Sequence, residues 1–191
     1  MAGADRRAPS GRGTAEPAGS RWSRQEITDL ARDRAPDGTW LVIVGGSDHP
    51  AIATMRIART PDGVEEDISL ALGLADTDLP AADQLRTIAG DFTSRYGLRS
   101  LLVQRRSARR DLTVPARLES LPVPLAFAVG PSDVEEIGAD HARRPPFGQP
   151  PHTLGAASAP GFYYELGDGT SPSGWTDLER LMRRLRQSVN G

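Results

Sequence analysis

Residues 51–59 and 64–72 alternate apolar and polar side chains on either side of Thr60-Pro61-Asp62-Gly63. No other feature constrains the fold of this chain as tightly. Proline pre-sets φ at the first corner of a turn, and Asp-Gly suits the positions that follow, so the two runs are expected to fold back as a hairpin. The pattern also selects a register. Pairing Thr60 with Gly63 sets Ile57 opposite Glu66, Met55 opposite Ile68 and Ala53 opposite Leu70. Arg56 then faces Asp67, and Thr54 faces Ser69. A slip of one residue would set Arg56 opposite Ile68 and mix the two faces. The expected product is an antiparallel sheet with one apolar, covered face and one wetter face.

The neighbouring segments extend this pattern. Trp40-Leu41-Val42-Ile43-Val44 is an apolar run closed by Gly45-Gly46, and predicts a buried strand that completes a three-stranded meander. From about residue 80 to 96, Leu85, Ile88, Ala89, Phe92 and Tyr96 form one helical stripe, with Pro80 at the start and Gly97 past the end. This helix is expected to cover the meander. Residues 98–104 and 123–129 read as strands, the second broken by Gly130-Pro131. Ser132-Asp133-Val134-Glu135 has capping-box spacing and opens a short helix that stops at Gly138. Residues 139–160 hold five prolines and little periodicity, and predict a long loop. A last strand is expected over 161–166. The helix from about 173 to 189 carries the stripe Trp175, Leu178, Leu181, Met182, Leu185 and Val189.

At the other end, residues 1–21 contain almost no large apolar side chain and predict a disordered tail or a linker. Ser23-Arg24-Gln25-Glu26 then opens a helix as a capping box, with Trp22 and Ile27 placed as a hydrophobic staple. The fold expected is one α+β domain over residues 22–190. Its antiparallel sheet would have five or six strands covered by helices.

Composition removes several kinds of chemistry. All 23 basic residues are arginine, and there is no cysteine. Lysine-dependent phosphate loops, Schiff bases and Ser–Lys dyads are therefore excluded, as are thiol nucleophiles, disulfides and thiolate metal sites. Arginine stays charged and serves bidentate ion pairing rather than proton transfer. The net charge of −2 gives no overall attraction to nucleic acid or anionic lipid. No stretch approaches the ~18–20 apolar residues of a membrane span. Arg6-Arg7 is followed by no apolar region of the kind an export signal needs, so the expected location is the cytoplasm.

Three groups of residues are candidates for a site. Residues 95–117 hold seven arginines and one acid, Asp111, after an acidic stretch over 62–91. Arg105, Arg106, Arg109 and Arg110 could bind an anion or nucleic acid, although no aromatic lies between Tyr96 and Phe127 to stack a base. The alternative is that the basic and acidic stretches face one another or solvent. The three histidines, His49, His141 and His152, include two Asp-His pairs, Asp48-His49 and Asp140-His141. They lack the spacing of a helical zinc motif, and no metal or cofactor is expected. Gly45-Gly46-Ser47-Asp48-His49 contains the residue types of a catalytic triad, but neighbours in sequence cannot converge as a triad must. Finally, Pro145-Pro146-Phe147 and Pro150-Pro151 could present an extended proline segment to a partner.

From Trp40 onward, the stretches HPAIATMRIART, GVEEDISLALG, SLLVQRRSARRDLTVPAR and PVPLAFAVGPSDVEEIG resemble an uncharacterised actinobacterial family of unknown function. That family is associated with gene neighbourhoods of type VII secretion. The resemblance implies a context rather than a reaction. It also implies that this chain is a short or truncated version of longer relatives. The element order is similar to that of small α+β secretion chaperones, which hold a client segment and catalyse nothing. Three functions follow as expectations. The leading one is a non-enzymatic protein-binding, adaptor or chaperone-like protein whose partner is a protein or secreted client, with an exposed apolar patch as the client site. The second is an arginine-rich anion or nucleic-acid binder. The third is a hydrolase or metal enzyme using Asp48, His49 and His141. A homodimer is left open.

Overall fold

The computed structural model describes residues 39–45, 50–61, 63–74, 80–108 and 121–187. The expected N-terminal tail, the helix opened by Ser23, and Asp48, His49, Arg109 and Arg110 lie outside the described residues. The chain divides into two compact units, one ending at Gly73 and one beginning at Leu74.

The first unit contains the expected meander. Strands β1 (Thr39–Gly45), β2 (Ala51–Thr60) and β3 (Gly63–Leu72) form an antiparallel sheet in that order. The β2–β3 register is the one the alternation selects: Thr60 pairs with Gly63, Arg56 with Asp67, Met55 with Ile68 and Ala53 with Leu70. Beyond the last pair, the Gly73 N–H donates to the Pro50 carbonyl at 2.8 Å. Ile57 is buried, whereas β3 is exposed at every described position except Ala71.

The second unit is a four-stranded antiparallel sheet between two helical layers. Its strands are β4 (Ser100–Arg105), β5 (Val123–Val129), β6 (His152–Ala156) and β7 (Ala159–Glu165), in the order β4-β5-β7-β6. The helices are α1 (Ala82–Tyr96), α2 (Pro131–Ile137), α3 (Ala139–Ala142) and α4 (Ser173–Gln187). Side-chain size along β5 decides what packs where. Phe127 and Val129 point to one face, where they join Phe162, Tyr164 and Leu166 under Val134, Ile137, Leu178, Leu181 and Leu185 of α2 and α4. Ala126 and Ala128 point to the other face, where they meet Tyr163, Leu154 and Ala89 of α1. Small residues there let α1 lie close to the sheet. The buried Tyr164 hydroxyl donates to the Ala142 carbonyl at 2.8 Å, so its polar end is satisfied.

The α+β class and the antiparallel pairing are as expected, but the strand arrangement differs. Among the described residues there are seven strands in two sheets of three and four, not one sheet of five or six. The apolar stripe of α1 lies on the four-stranded sheet, where β5 and β7 are buried on both faces and draw helices from both sides. The stripe is also rotated from the expected one. Leu85, Ala89 and Thr93 face inward, while Ile88 and Tyr96 are 47% and 61% exposed. Thr93 can be buried because its hydroxyl donates to the Ala89 carbonyl at 2.8 Å. The predicted loop over 139–160 is a correction as well. It holds α3 and strand β6, which turns into β7 through two residues. β6 gave little signal because Leu154 is its one buried residue and Gly155 and Ala156 are poor strand formers.

Backbone geometry fixes two of the junctions. α1 ends where predicted, at Gly97, whose φ of 64° lies in the left-handed region that favours glycine. Gly130 is required for a different reason. Its N–H donates to the Arg99 carbonyl at 2.7 Å, and a β-carbon there would sit 1.4 Å from the Leu98 carbonyl oxygen. Only glycine lets the end of β5 approach the start of β4 so closely.

Candidate functional site

Two surfaces have the makings of a site, one in each unit. In the second unit, a cleft of ≈ 250 Å³ opens beside the start of α1. The sheet register builds it. Tyr163 and Glu165 lie two apart on β7 and so point to the same face, the face of Ala126 and Ala128 that α1 covers. On β4, Leu101, Val103 and Arg105 share that face by the same alternation, which turns Arg105 inward. Pairing shifts between Val103 and Gln104, so β5 has one residue more than β4 there, and Leu125 becomes part of the cleft wall. Pro80, Ala82 and Leu85 close the helix side, and Gly167 and Asp168 close the end.

The charges in and around this cleft are largely paired. The Glu165 carboxylate lies 3.2 Å from His152 Nε2, and His152 in turn lies 3.3 Å from an Arg86 nitrogen. Arg86 reaches Asp83 at 2.6 Å. Burial first, and then the Glu165 charge, push the Tyr163 phenol up from 10.0 to about 12 against the pull of Arg86. Tyr163 is therefore a neutral group at ordinary pH. The Asp168 carboxyl is held below its usual value. The Thr170 hydroxyl at 2.7 Å is the main cause, the Thr170 N–H at 2.9 Å adds to it, and the charge of Arg105 contributes. The wall combines apolar side chains with two carboxylates, a guanidinium and a phenol, and no serine, threonine or cysteine is among its lining residues.

The candidate arginines separate. Arg105 is half-buried at the cleft, and Arg106 is exposed just past the end of β4. Arg105 thus faces carboxylates rather than forming an open basic surface with its neighbour. His141 is remote in role as well as in sequence. Its Nε2 lies 2.8 Å from the Arg184 carbonyl in the last turn of α4, where a histidine satisfies an orphan backbone acceptor. His152, by contrast, belongs to the network behind the cleft. Among the described residues, no group of three His, Asp or Glu could hold a metal ion. Sequence reasoning did not single out Tyr163, Glu165 or Asp168. Their convergence with Arg105 follows from the strand order β4-β5-β7, which no local pattern encodes.

The second surface is β3. It is an edge strand among the described residues, since β2 is its one partner. Val64, Ile68, Leu70 and Leu72 alternate along it, share one face, and are 66%, 50%, 57% and 55% exposed. Glu65, Glu66 and Asp67 form an exposed acidic triplet, of which Glu66 lies on the same face and interrupts the row between Val64 and Ile68. An edge strand offers unpaired backbone donors and acceptors, and here it also carries a row of apolar side chains.

Fold and surface together define an α+β protein with an uncovered apolar edge strand and a small, mostly apolar cleft. The chain matches the model of the DUF6177 C-terminal domain over residues 2–187 and belongs to that family, whose function is unknown. No curated protein and no solved structure matches it. Among the described residues, no helix is long and apolar enough to cross a membrane.

Proposed function

We propose that this chain is a non-enzymatic protein-binding adaptor that holds an extended client segment on the β3 edge of its three-stranded sheet. One observation carries this reading: four large aliphatic side chains, Val64, Ile68, Leu70 and Leu72, stand half or more exposed on one face of an edge strand, the last three without interruption. Strand addition would pair the open backbone edge and cover the row in one step. The chaperone-like element order and the resemblance to actinobacterial proteins encoded near type VII secretion systems support a client that is a secreted protein. They also support a working place in the cytoplasm beside that apparatus. The arginine-based alternative is weaker, because Arg105 lines the cleft together with Asp168 and Glu165 and its charge acts on Asp168.

The test is capture of proteins encoded beside this chain's gene, using the wild type and a variant with Ile68→Ser and Leu70→Ser. Both residues are half or more exposed, so the variant is expected to fold normally. The adaptor reading expects a neighbour-encoded protein to be retained by the wild type and lost by the variant. Retention that is equal in both, or no retention by folded wild type, refutes it.

A further inference from the structure

We infer, resting on the reading of β3 as a docking edge, that its occupant is an extended partner segment carrying a basic triplet next to alternating apolar residues. The edge carries two kinds of chemistry along its length. Glu65, Glu66 and Asp67, all exposed, lie between Val64 and the rest of the apolar row. Beyond the triplet, Ile68, Leu70 and Leu72 alternate with Ser69 and Ala71. Residues directly opposite across a strand pair interact most strongly, and opposite charges there are favourable. A matching strand therefore places basic residues opposite the triplet and apolar residues opposite Ile68, Leu70 and Leu72. Every strand pair in this meander is antiparallel, the pairing that is also slightly the more stable per residue. In that direction the segment runs from its apolar half to its basic half.

The alternative occupant, a second copy of this chain, fits less well. An antiparallel copy centred on Ile68 sets its acidic triplet opposite Ser69, Leu70 and Ala71, so that neither triplet meets an opposite charge. Glu66 would also lie opposite Leu70 of the second copy, a charge against an aliphatic side chain. Acidic residues on an edge strand discourage self-association, and the same charges select a basic partner.

The experiment uses the full chain and two labelled peptides. One is Val-Thr-Val-Ser-Val-Arg-Arg-Arg-Val, and the other replaces its arginines by glutamates. Fluorescence anisotropy at low salt is expected to show the arginine peptide binding about tenfold more tightly or better, the sum expected of three exposed ion pairs. The gap should shrink as salt is raised. A variant with Glu65→Lys and Asp67→Lys should reverse the preference, and Ile68→Ser with Leu70→Ser should abolish binding of both peptides. Equal affinities that still depend on Ile68 and Leu70 would leave the docking edge standing and overturn its basic occupant. Failure of both peptides to bind, or binding indifferent to every β3 change, would overturn the docking edge itself. A dimer in sedimentation velocity that dissociates on Ile68→Ser would make a second copy the occupant, and would also overturn the inference.

Discussion

Replacing Gly130 by alanine tests the tightest backbone approach in the second unit. The added β-carbon would lie 1.4 Å from the Leu98 carbonyl oxygen and 2.5 Å from its carbon. Ordinary contact between heavy atoms needs about 3.5 Å, so the two segments must part by roughly 2 Å. The 2.7 Å bond from the Gly130 N–H to the Arg99 carbonyl cannot survive that movement. A net hydrogen bond is worth about 1 kcal/mol, and leaving a buried N–H unpaired costs about 1–3 kcal/mol. Forcing backbone apart in a packed region adds about 1–3 kcal/mol. The unpaired N–H already includes the lost bond, so with the forced separation the expected loss is about 2–6 kcal/mol, a large part of the ~5–15 kcal/mol that holds a typical domain folded. Hydrogen exchange of the β4 and β5 amides reads this directly and does not assume that both units unfold together. Gly148→Ala is the matched control, since no heavy atom lies within 4 Å of a β-carbon placed there. Its effect should stay within about 0.5 kcal/mol. Exchange in Gly130→Ala that reports less than about 1 kcal/mol of destabilisation would refute the account of this junction.

Three further outcomes follow from the core and the cleft. Leu181→Ala empties a fully buried position between α4 and the sheet and should cost about 2–5 kcal/mol, read as a lowered urea midpoint. Tyr163 should ionise near pH 12 in the folded chain, against 10.0 for an unperturbed phenol, when followed by tyrosinate absorbance. Its folded value is raised, so its contribution to stability is full below pH 10 and is lost as pH rises toward about 12; Tyr163→Phe should flatten that decline. Thr170→Val removes the shorter of the two hydrogen bonds to Asp168 and should let the Asp168 carboxyl titrate closer to its ordinary value, as seen by NMR.

Local chemistry made the meander legible and left the second sheet obscure. Thr60-Pro61-Asp62-Gly63 set the hairpin, and the alternation in 51–59 and 64–72 could satisfy only one register, which is the one observed. The stripe of α1 was visible, but its rotation was not. The floor it rests on is Ala126 and Ala128, and small floor residues admit Ala89 and Thr93 while leaving Ile88 and Tyr96 outside. β6 was hidden because one buried leucine beside Gly155 leaves no alternation to detect. The cleft was hidden because it needs three strands in an order that skips β6. Arg105 was noticed for its neighbours in sequence, whereas its neighbours in space are Leu125 and Asp168. The apolar face of the meander was expected to be covered, whereas Val64, Ile68, Leu70 and Leu72 of β3 are half or more exposed.

The surplus residue in β5 is the origin of the hollow at Leu125. While every residue of two adjacent strands has a counterpart, their surface stays evenly filled. Leu125 has no counterpart on β4, yet its carbonyl is held by the Leu166 N–H at 2.9 Å, so the irregularity is fastened in place from the other side. Excising that single leucine would let β4 and β5 zip without interruption and would take away the wall on which the cavity depends. The recess is thus the imprint of a one-residue length mismatch, locked by a neighbouring strand end, and a small indel is enough to create or erase it.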